Sequence, residues 1–470
     1  MPMNRREFIQ KNGLLIGAAA LSASPATGRL FAQSHAPKRL TISGVNADFE
    51  REPLIRPFGF KGGYMTEIWQ TAALLESNSG RRAIGLCTQN VLWSDAQVFA
   101  AHSESGGNSL MYALTEHALQ QLKGQSFTTP VDLLDAILDD VYAYGKEITD
   151  NPALRKTFAL NALVGVDNAA WLLYAAENGI TAFDDMIPAA YRPALATRHD
   201  KVASIPLMAY AIPVEEITAA VGQGYFFMKI KIGQPGTQAD MLEKDKARLT
   251  AIHRAIGGAR TPHTQNGKLP YYFDANGRYE SKETLLRLID HAKAIGAFDQ
   301  MAIIEEPFPE ELETDIRDIP VRIAADESAH TEQDVVKRIQ MGYRAIALKA
   351  IAKTLSMTMK IAQVAHERNV PCFCADLTVN PILVDWNKNV AARLAPFPGI
   401  GLGLLETNGH QNYRNWATMQ RYHPYPDAAW TRTVKGVFDL GSDFYEKSGG
   451  IFSPSVHYEE MFPKHASPGA

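Results

Sequence analysis

Six residues are ordered along the chain as the parts of one reactive site. Lys229 and Lys231 lie in "YFFMKIKIG" (225–233), Asp274 in "YYFDANG", Glu305 in "AIIEEPFP", Asp326 in "RIAADES" and Lys349 in "AIALKAIAK". Each closes a short apolar run rich in aromatic or β-branched residues. In a strand, residues i and i+2 face the same way, so Lys229 and Lys231 point into one interior, where an unpaired ammonium is costly. Three carboxylates converging from neighbouring strands suit a hard divalent cation. Mg²⁺ takes about six oxygens and keeps positions for water or substrate. Beside such a cation, three acids and an anionic substrate, the lysines are compensated. A substrate held between Lys231 and Lys349 can lose a proton to one and gain one from the other. Singly, each segment has a plainer reading: a snorkelling surface pair for the lysines, a turn for "DANG", a helix N-cap for "ADES", a surface or Schiff-base lysine at 349. Their order at successive strand ends favours one site.

The elements that must position them follow from the rhythm of the chain. After about Ser204, eight apolar runs alternate with helical segments: "IPLMAYAI", "YFFMKIKI", "YYFDANG", "MAIIEEP", "VRIAADES", "AIALKAI", "VPCFCAD" and "IGLGLLET". Helices are expected at 281–296, 332–342 and 354–369. Such alternation argues for a parallel sheet, and eight units for a (β/α)7–8 barrel of the TIM kind over 205–408, with its site at the C-terminal strand ends. The spacings from Lys231 onward are 43, 31, 21 and 23 residues, about one βα unit each, with an insertion at 257–270. Residues 38–127 read as β-rich and 128–200 as helical, which makes 38–200 an α+β domain. The aromatic tail 409–470 is expected to pack back on it.

The remaining composition excludes more than it specifies. The chain of 470 residues is 46% hydrophobic and 21% charged, with a formal charge of −4 and no basic run, so nothing points to nucleic acid. Arg5 and Arg6 precede an apolar, Ala-rich stretch and small residues near Ala32, the pattern of a twin-arginine export signal over 1–32. Its removal takes away four basic groups and one acid, bringing the charge from −4 to about −7. The expected partners are then the twin-arginine export machinery and a small carboxylate substrate, the expected location is periplasmic or secreted, and no membrane anchor is left after processing. Cys87, Cys372 and Cys374 are an odd set that reads as packing rather than a disulfide framework or metal site.

The ordered set Lys229/Lys231, Asp274, "EEP" from Glu305, "ADES" from Asp326 and Lys349 resembles the enolase superfamily, within it the muconate lactonizing enzyme / dipeptide epimerase branch. "LVGVDNAAWLLYAAENG" (163–179) is similar to the helix that leads into the barrel there. The resemblance covers about 38–410 and implies that 38–200 is an α+β capping domain over the barrel. It implies that Asp274, Glu305 and Asp326 ligate one Mg²⁺, that the ion stabilises an enediolate formed from a carboxylate substrate, that Lys231 and Lys349 are acid/base groups on opposite faces, and that Lys229 tunes Lys231. Glu306 is expected in support of the ligands. Glu406 after strand eight and Asp376 after strand seven are candidates for substrate contact. The loop 56–65 resembles the mobile loops over such sites, with Arg56, Lys61 and Tyr64 as readers of substrate. The expected activity is racemisation or epimerisation of an amino-acid derivative or dipeptide. Cycloisomerisation, syn-dehydration, a Schiff-base aldolase or lyase and a non-catalytic exported binding protein are the alternatives, and a homo-oligomer is expected. The chain departs from the pattern in its export signal, the 257–270 insertion, and the absence of an Asp-x-Asp at strand eight.

Overall fold

Two sheets carry the chain. The computed structural model describes residues 37–60 and 63–463; the export-like segment 1–32 and Lys61 lie outside them. Strands Leu40–Phe60, Gly63–Ser77 and Arg82–Gln89 form an antiparallel meander, joined at its edge by the short strand Ser126–Phe127. One face of the meander is covered by helices Ala96–Leu122, Pro130–Ile148 and Lys156–Asn178. Lys156–Asn178 is long and apolar enough to cross a membrane by composition, yet 94% of its apolar window is buried in the protein. It is the core helix of the cap, and it ends at Gly179 in the left-handed conformation (φ 68°), where glycine carries no Cβ penalty.

The β-rich expectation for 38–127 holds only to Gln89. Ala96–Leu122 is a helix of 27 residues with a break at Ser103 (φ 65°). The run "HSESGGNS" at 102–109 carries turn formers and no apolar period, so the local signal is that of a loop. Burial of Met111, Leu114, Ala118, Leu119 and Leu122 supplies the helix with tertiary support that propensity lacks.

The second sheet is the barrel. Eight parallel strands follow in chain order: one broken strand (Lys201–Ile205 and Leu207–Met208), then Met228–Lys231, Tyr271–Asp274, Met301–Glu305, Ile323–Ala325, Ala345–Leu348, Cys372–Cys374 and Gly403–Glu406. Closure runs through the broken first strand. Its lower half pairs with strand eight, Gly403 opposite Val202 to Glu406 opposite Ile205. Its upper half pairs with strand two, Leu207 opposite Lys229. Pro206 sits at the break. It has no N–H to give, and its carbonyl accepts the Lys229 N–H at 3.0 Å. Helices Lys282–Ala294, Glu332–Met341 and Leu355–Glu367 match the helical periods read from sequence to within a few residues.

The tail touches both bodies. Val437, Phe438 and Asp439 pair antiparallel with Ala203, Val202 and Lys201 of barrel strand one. The Arg414 N–H donates to the Pro53 carbonyl at 3.0 Å, and Asn415 Nδ2 to Glu52 at 2.9 Å. Gln70 donates to the Tyr413 hydroxyl at 2.7 Å, and Asn380 of the barrel donates to Gln70 at 3.1 Å. Cap, barrel and tail therefore meet at one buried amide.

Candidate active site

The register of the barrel sets the site. Lys231 lies opposite Asp274, and Asp274 opposite Glu305, across three adjacent strands. Glu305 pairs with Ala324, so Asp326, two residues on, belongs to the same inward face. Lys349 follows the last residue of strand six, four strands around the ring from strand two. All six are at most 5% exposed. The floor beneath them is aromatic: Tyr272 meets Phe373 edge-on at 5.5 Å, and its hydroxyl donates to Glu305. Below the rim, water is excluded and each charge must find a partner within the protein.

Lys229 finds three. Its Nζ lies 3.0 Å from Asp274 Oδ2, 3.1 Å from Glu305 Oε1 and 3.2 Å from Glu406 Oε2. Burial opposes its charge, but Asp274, Glu305 and Glu406 outweigh it and hold the ammonium well above the ordinary lysine value. Lys231 donates to Asp274 Oδ2 and to Asn276 Oδ1. Lys349 donates to Asp326 Oδ2, and its ammonium lies 4.4 Å from the Trp93 ring centre. Burial works against that charge too, yet Asp326 beside it keeps the pKa raised. Burial pushes the acids the other way. Glu305 is held up at about 8 despite Lys229. Asp274 is brought down to about 2, because Lys229 and Lys231 outweigh its burial.

Three participants were not legible as such. Lys353, one helical turn past Lys349, donates to the Asp326 and Ala329 carbonyls at 2.6 and 3.0 Å, and so fixes the loop after strand five. Glu327 stands with Glu305 and Asp326 in a buried group whose carboxylate oxygens lie within 4.8 Å of one another; it accepts from Asn276 Nδ2 at 3.0 Å. Its neighbour Asp326 in "ADES" was the available signal. Trp93 had none. It is carried by a short turn that the cap helix pins: Asn161 Oδ1 accepts from the Asn90 N–H at 3.0 Å, and Asn90 Oδ1 from the Trp93 N–H at 3.0 Å. Glu306, in the left-handed region (φ 39°), accepts from the Asp326 and Ser328 N–H groups at 2.7 and 3.3 Å, which supports the loop after strand five from behind.

The remaining candidates separate. Glu406 and Asp376 both line the inner cavity of about 40 Å³ between Lys231 and Lys349. Glu406 is turned inward onto Lys229 and the Asp376 N–H. Asp376 closes the loop turns, accepting from the Leu377 and Asn408 N–H groups at 2.7 Å each. Arg56 and Tyr64 do not reach this cavity. They line a larger chamber beside it, and Tyr64 is 67% exposed. From the same hairpin, Phe58 and Met65 reach inward instead.

The Trp93 contact has a measurable consequence. A cation over an indole face gains about 0.5–2 kcal/mol, which acts on the charged form alone. Trp93→Leu keeps the site dry and removes the ring face, so the alkaline limb of the Lys349 ammonium titration, followed by NMR, moves to lower pH by about 0.4–1.5 units. Trp93→Phe leaves the limb close to the wild-type position.

Residues 213–398 match the family model described as enolase C-terminal domain-like. Among solved structures with the same fold is a dipeptide epimerase from Enterococcus faecalis V583 complexed with Mg and L-Leu-L-Tyr, at 15% identity and TM-score 0.56, covering 80% of this chain and 92% of that one. A second is an N-succinyl Arg/Lys racemase from Bacillus cereus ATCC 14579, at 14% identity and TM-score 0.57, covering 80% and 89%. A third is an L-talarate dehydratase from Polaromonas sp. JS666 complexed with Mg and L-glucarate, at 17% identity and TM-score 0.57, covering 85% and 92%. No curated protein matches the sequence. The enolase-type barrel and its cap are thus shared with racemases, epimerases and dehydratases.

Proposed function

We propose that the chain removes the proton α to a carboxylate and returns one to the opposite face, as a cation-assisted racemase or epimerase. The observation that carries this reading is the pair Lys231 and Lys349. They stand at the ends of strands two and six and line one cavity, with Asp274 and Asp326 between them. The residues fit a divalent cation. Seven buried carboxylates (Asp274, Glu305, Glu306, Asp326, Glu327, Asp376 and Glu406) stand with four buried lysines (Lys229, Lys231, Lys349 and Lys353). A surplus of buried anions is costly unless met by protons or a cation. Asp274, Glu305 and Asp326 are the set that would hold it: Asp274 and Asp326 line the inner cavity, while Glu327 faces the groove on the other side of the rim. A bound Mg²⁺ would supply electrostatic stabilisation of the negative charge that gathers on the substrate carboxylate as the α-proton leaves.

The chain's own residues divide the rest. One of Lys231 and Lys349 takes the α-proton and the other delivers a proton to the far face; for the other enantiomer the roles exchange. Asn276 and Asp274 orient Lys231, and Asp326 and Trp93 orient Lys349. Lys229 neutralises Asp274, Glu305 and Glu406 and so keeps the strand ends together. A Schiff-base role for Lys349 is disfavoured, since it gives no work to Lys231 on the opposite strand or to the buried acids between them. We place the enzyme outside the cytoplasm on the Arg5–Arg6 signal pattern. Chiral chromatography of single-enantiomer N-acyl amino acids and dipeptides tests the activity: with Mg²⁺ the opposite enantiomer accumulates to an equilibrium mixture. Borohydride-trapped substrate on Lys349, with no sensitivity to chelator, overturns the reading.

A further inference from the structure

We infer that the substrate is a carboxylate whose reacting carbon also carries, through an uncharged linkage, a large apolar group without an ammonium; this rests on the reading just proposed. The inner cavity of about 40 Å³ has room for only a few water-sized groups. The rest of a substrate must sit elsewhere, and a chamber of about 770 Å³ adjoins it, the size of a ligand pocket. Phe58 and Leu207 line both spaces, so the two meet at these side chains.

The chamber wall is apolar. Phe58, Leu207, Met208, Ile212, Ala220 and Tyr225 form it, and Leu207, Met208, Ile212 and Ala220 are each at most 9% exposed. Gln411 holds the wall in place, accepting from the Leu207 N–H at 2.9 Å and donating to the Leu207 carbonyl at 3.2 Å. The charges that border it are Arg56, Glu216 and Arg278, with Arg56 and Glu216 exposed. Glu216 is the single carboxylate on the lining among the described residues, and two guanidinium groups outnumber it. The acid at strand eight does not help an ammonium, because Glu406 is engaged by Lys229 and by the Asp376 N–H. Two residues on stands Asn408, whose amide is engaged by Glu406 and Thr378. An ammonium held against the buried part of this wall meets no buried anion, whereas an apolar chain gains by leaving water.

The test uses three probes on the full chain loaded with Mg²⁺: N-formyl-alanine, N-hexanoyl-alanine and norleucyl-alanine, the last being the hexanoyl compound with an ammonium on the acyl chain. Binding is read by calorimetry and α-deuteration by mass spectrometry. The expected result is that hexanoyl-alanine binds at least about 30-fold more tightly than either of the others. Ala219→Trp, at an exposed helix position on the chamber lining, lowers that affinity at least about 10-fold and leaves formyl-alanine unchanged. Norleucyl-alanine binding as tightly as hexanoyl-alanine, or absence of binding by all three, overturns the inference. Binding in the expected order without α-deuteration sustains the chamber and overturns the proposed reaction. Deuteration without preference among the probes does the reverse.

Discussion

Lys231→Met abolishes interconversion of enantiomers, by at least about 10³-fold, while exchange of the α-proton persists for the one enantiomer whose proton faces Lys349. Lys349→Met gives the mirror result. The argument is geometric. Two bases on opposite sides of one planar intermediate each serve one hand of the substrate, so loss of either blocks racemisation but spares half of the exchange. The magnitude is that of a positioned acid–base group, about 10²–10⁴, and the stereochemical split separates it from general damage. The fold tolerates both changes, because Asp274 keeps Lys229 at 3.0 Å and Asp326 keeps the Lys353 ammonium at 3.4 Å. A Lys231→Met enzyme that racemises at the wild-type rate removes Lys231 from the mechanism.

Asp326→Asn has the second large effect, on cation affinity and on stability at once. Asp326 is the anion between Lys349 and Lys353, all three at most 2% exposed. Lys349 and Lys353 outweigh its burial and hold its pKa below the ordinary aspartate value. That stabilisation is present above the ordinary aspartate pKa and is lost as pH falls beneath it. Replacing it leaves two buried ammonium groups without their partner, for which breaking a buried pair costs about 3–5 kcal/mol. The expected result is a large fall in Tm at neutral pH and a Mg²⁺ affinity at least about 100-fold weaker by calorimetry. Glu327→Gln is the control for the ligand set: affinity within about 10-fold of wild type supports Asp274 as the third ligand, and a loss equal to that of Asp326→Asn puts Glu327 in its place.

The barrel strands were legible because each is a short apolar run, and strands two to six end at or just before the charged residues of the site. The cap was legible only where periodicity was strong. Pro130–Ile148 has apolar residues at helical spacing and a threonine cap, Thr129, whose hydroxyl accepts from the Asp132 N–H. Ala96–Leu122 is capped by Asp95, whose carboxylate accepts from the Gln97 and Val98 N–H groups, but the turn formers at 102–109 interrupt its apolar spacing, and the helix is carried across them by what it packs against. The same division runs through the site. Asp274, Glu305, Asp326, Lys229, Lys231 and Lys349 could be named because strand ends order them. Trp93 reaches Lys349 from another domain, through the Asn161–Asn90 hydrogen bond, and no local pattern announces a contact made between segments more than 250 residues apart. Pro206 shows a third case. "IPLMAYAI" reads as one strand, but a residue without an N–H breaks the ladder, and the two halves pair with different neighbours to close the barrel.

The most direct measurement is deuterium uptake at the α-carbon of a single-enantiomer carboxylate, incubated with the purified chain in D₂O and read by mass spectrometry with Mg²⁺ and with EDTA. The account predicts one deuterium per molecule with Mg²⁺, appearing together with the opposite enantiomer, and none with EDTA. Uptake that is undiminished by EDTA, or that proceeds in the Lys231→Met, Lys349→Met double variant, contradicts it.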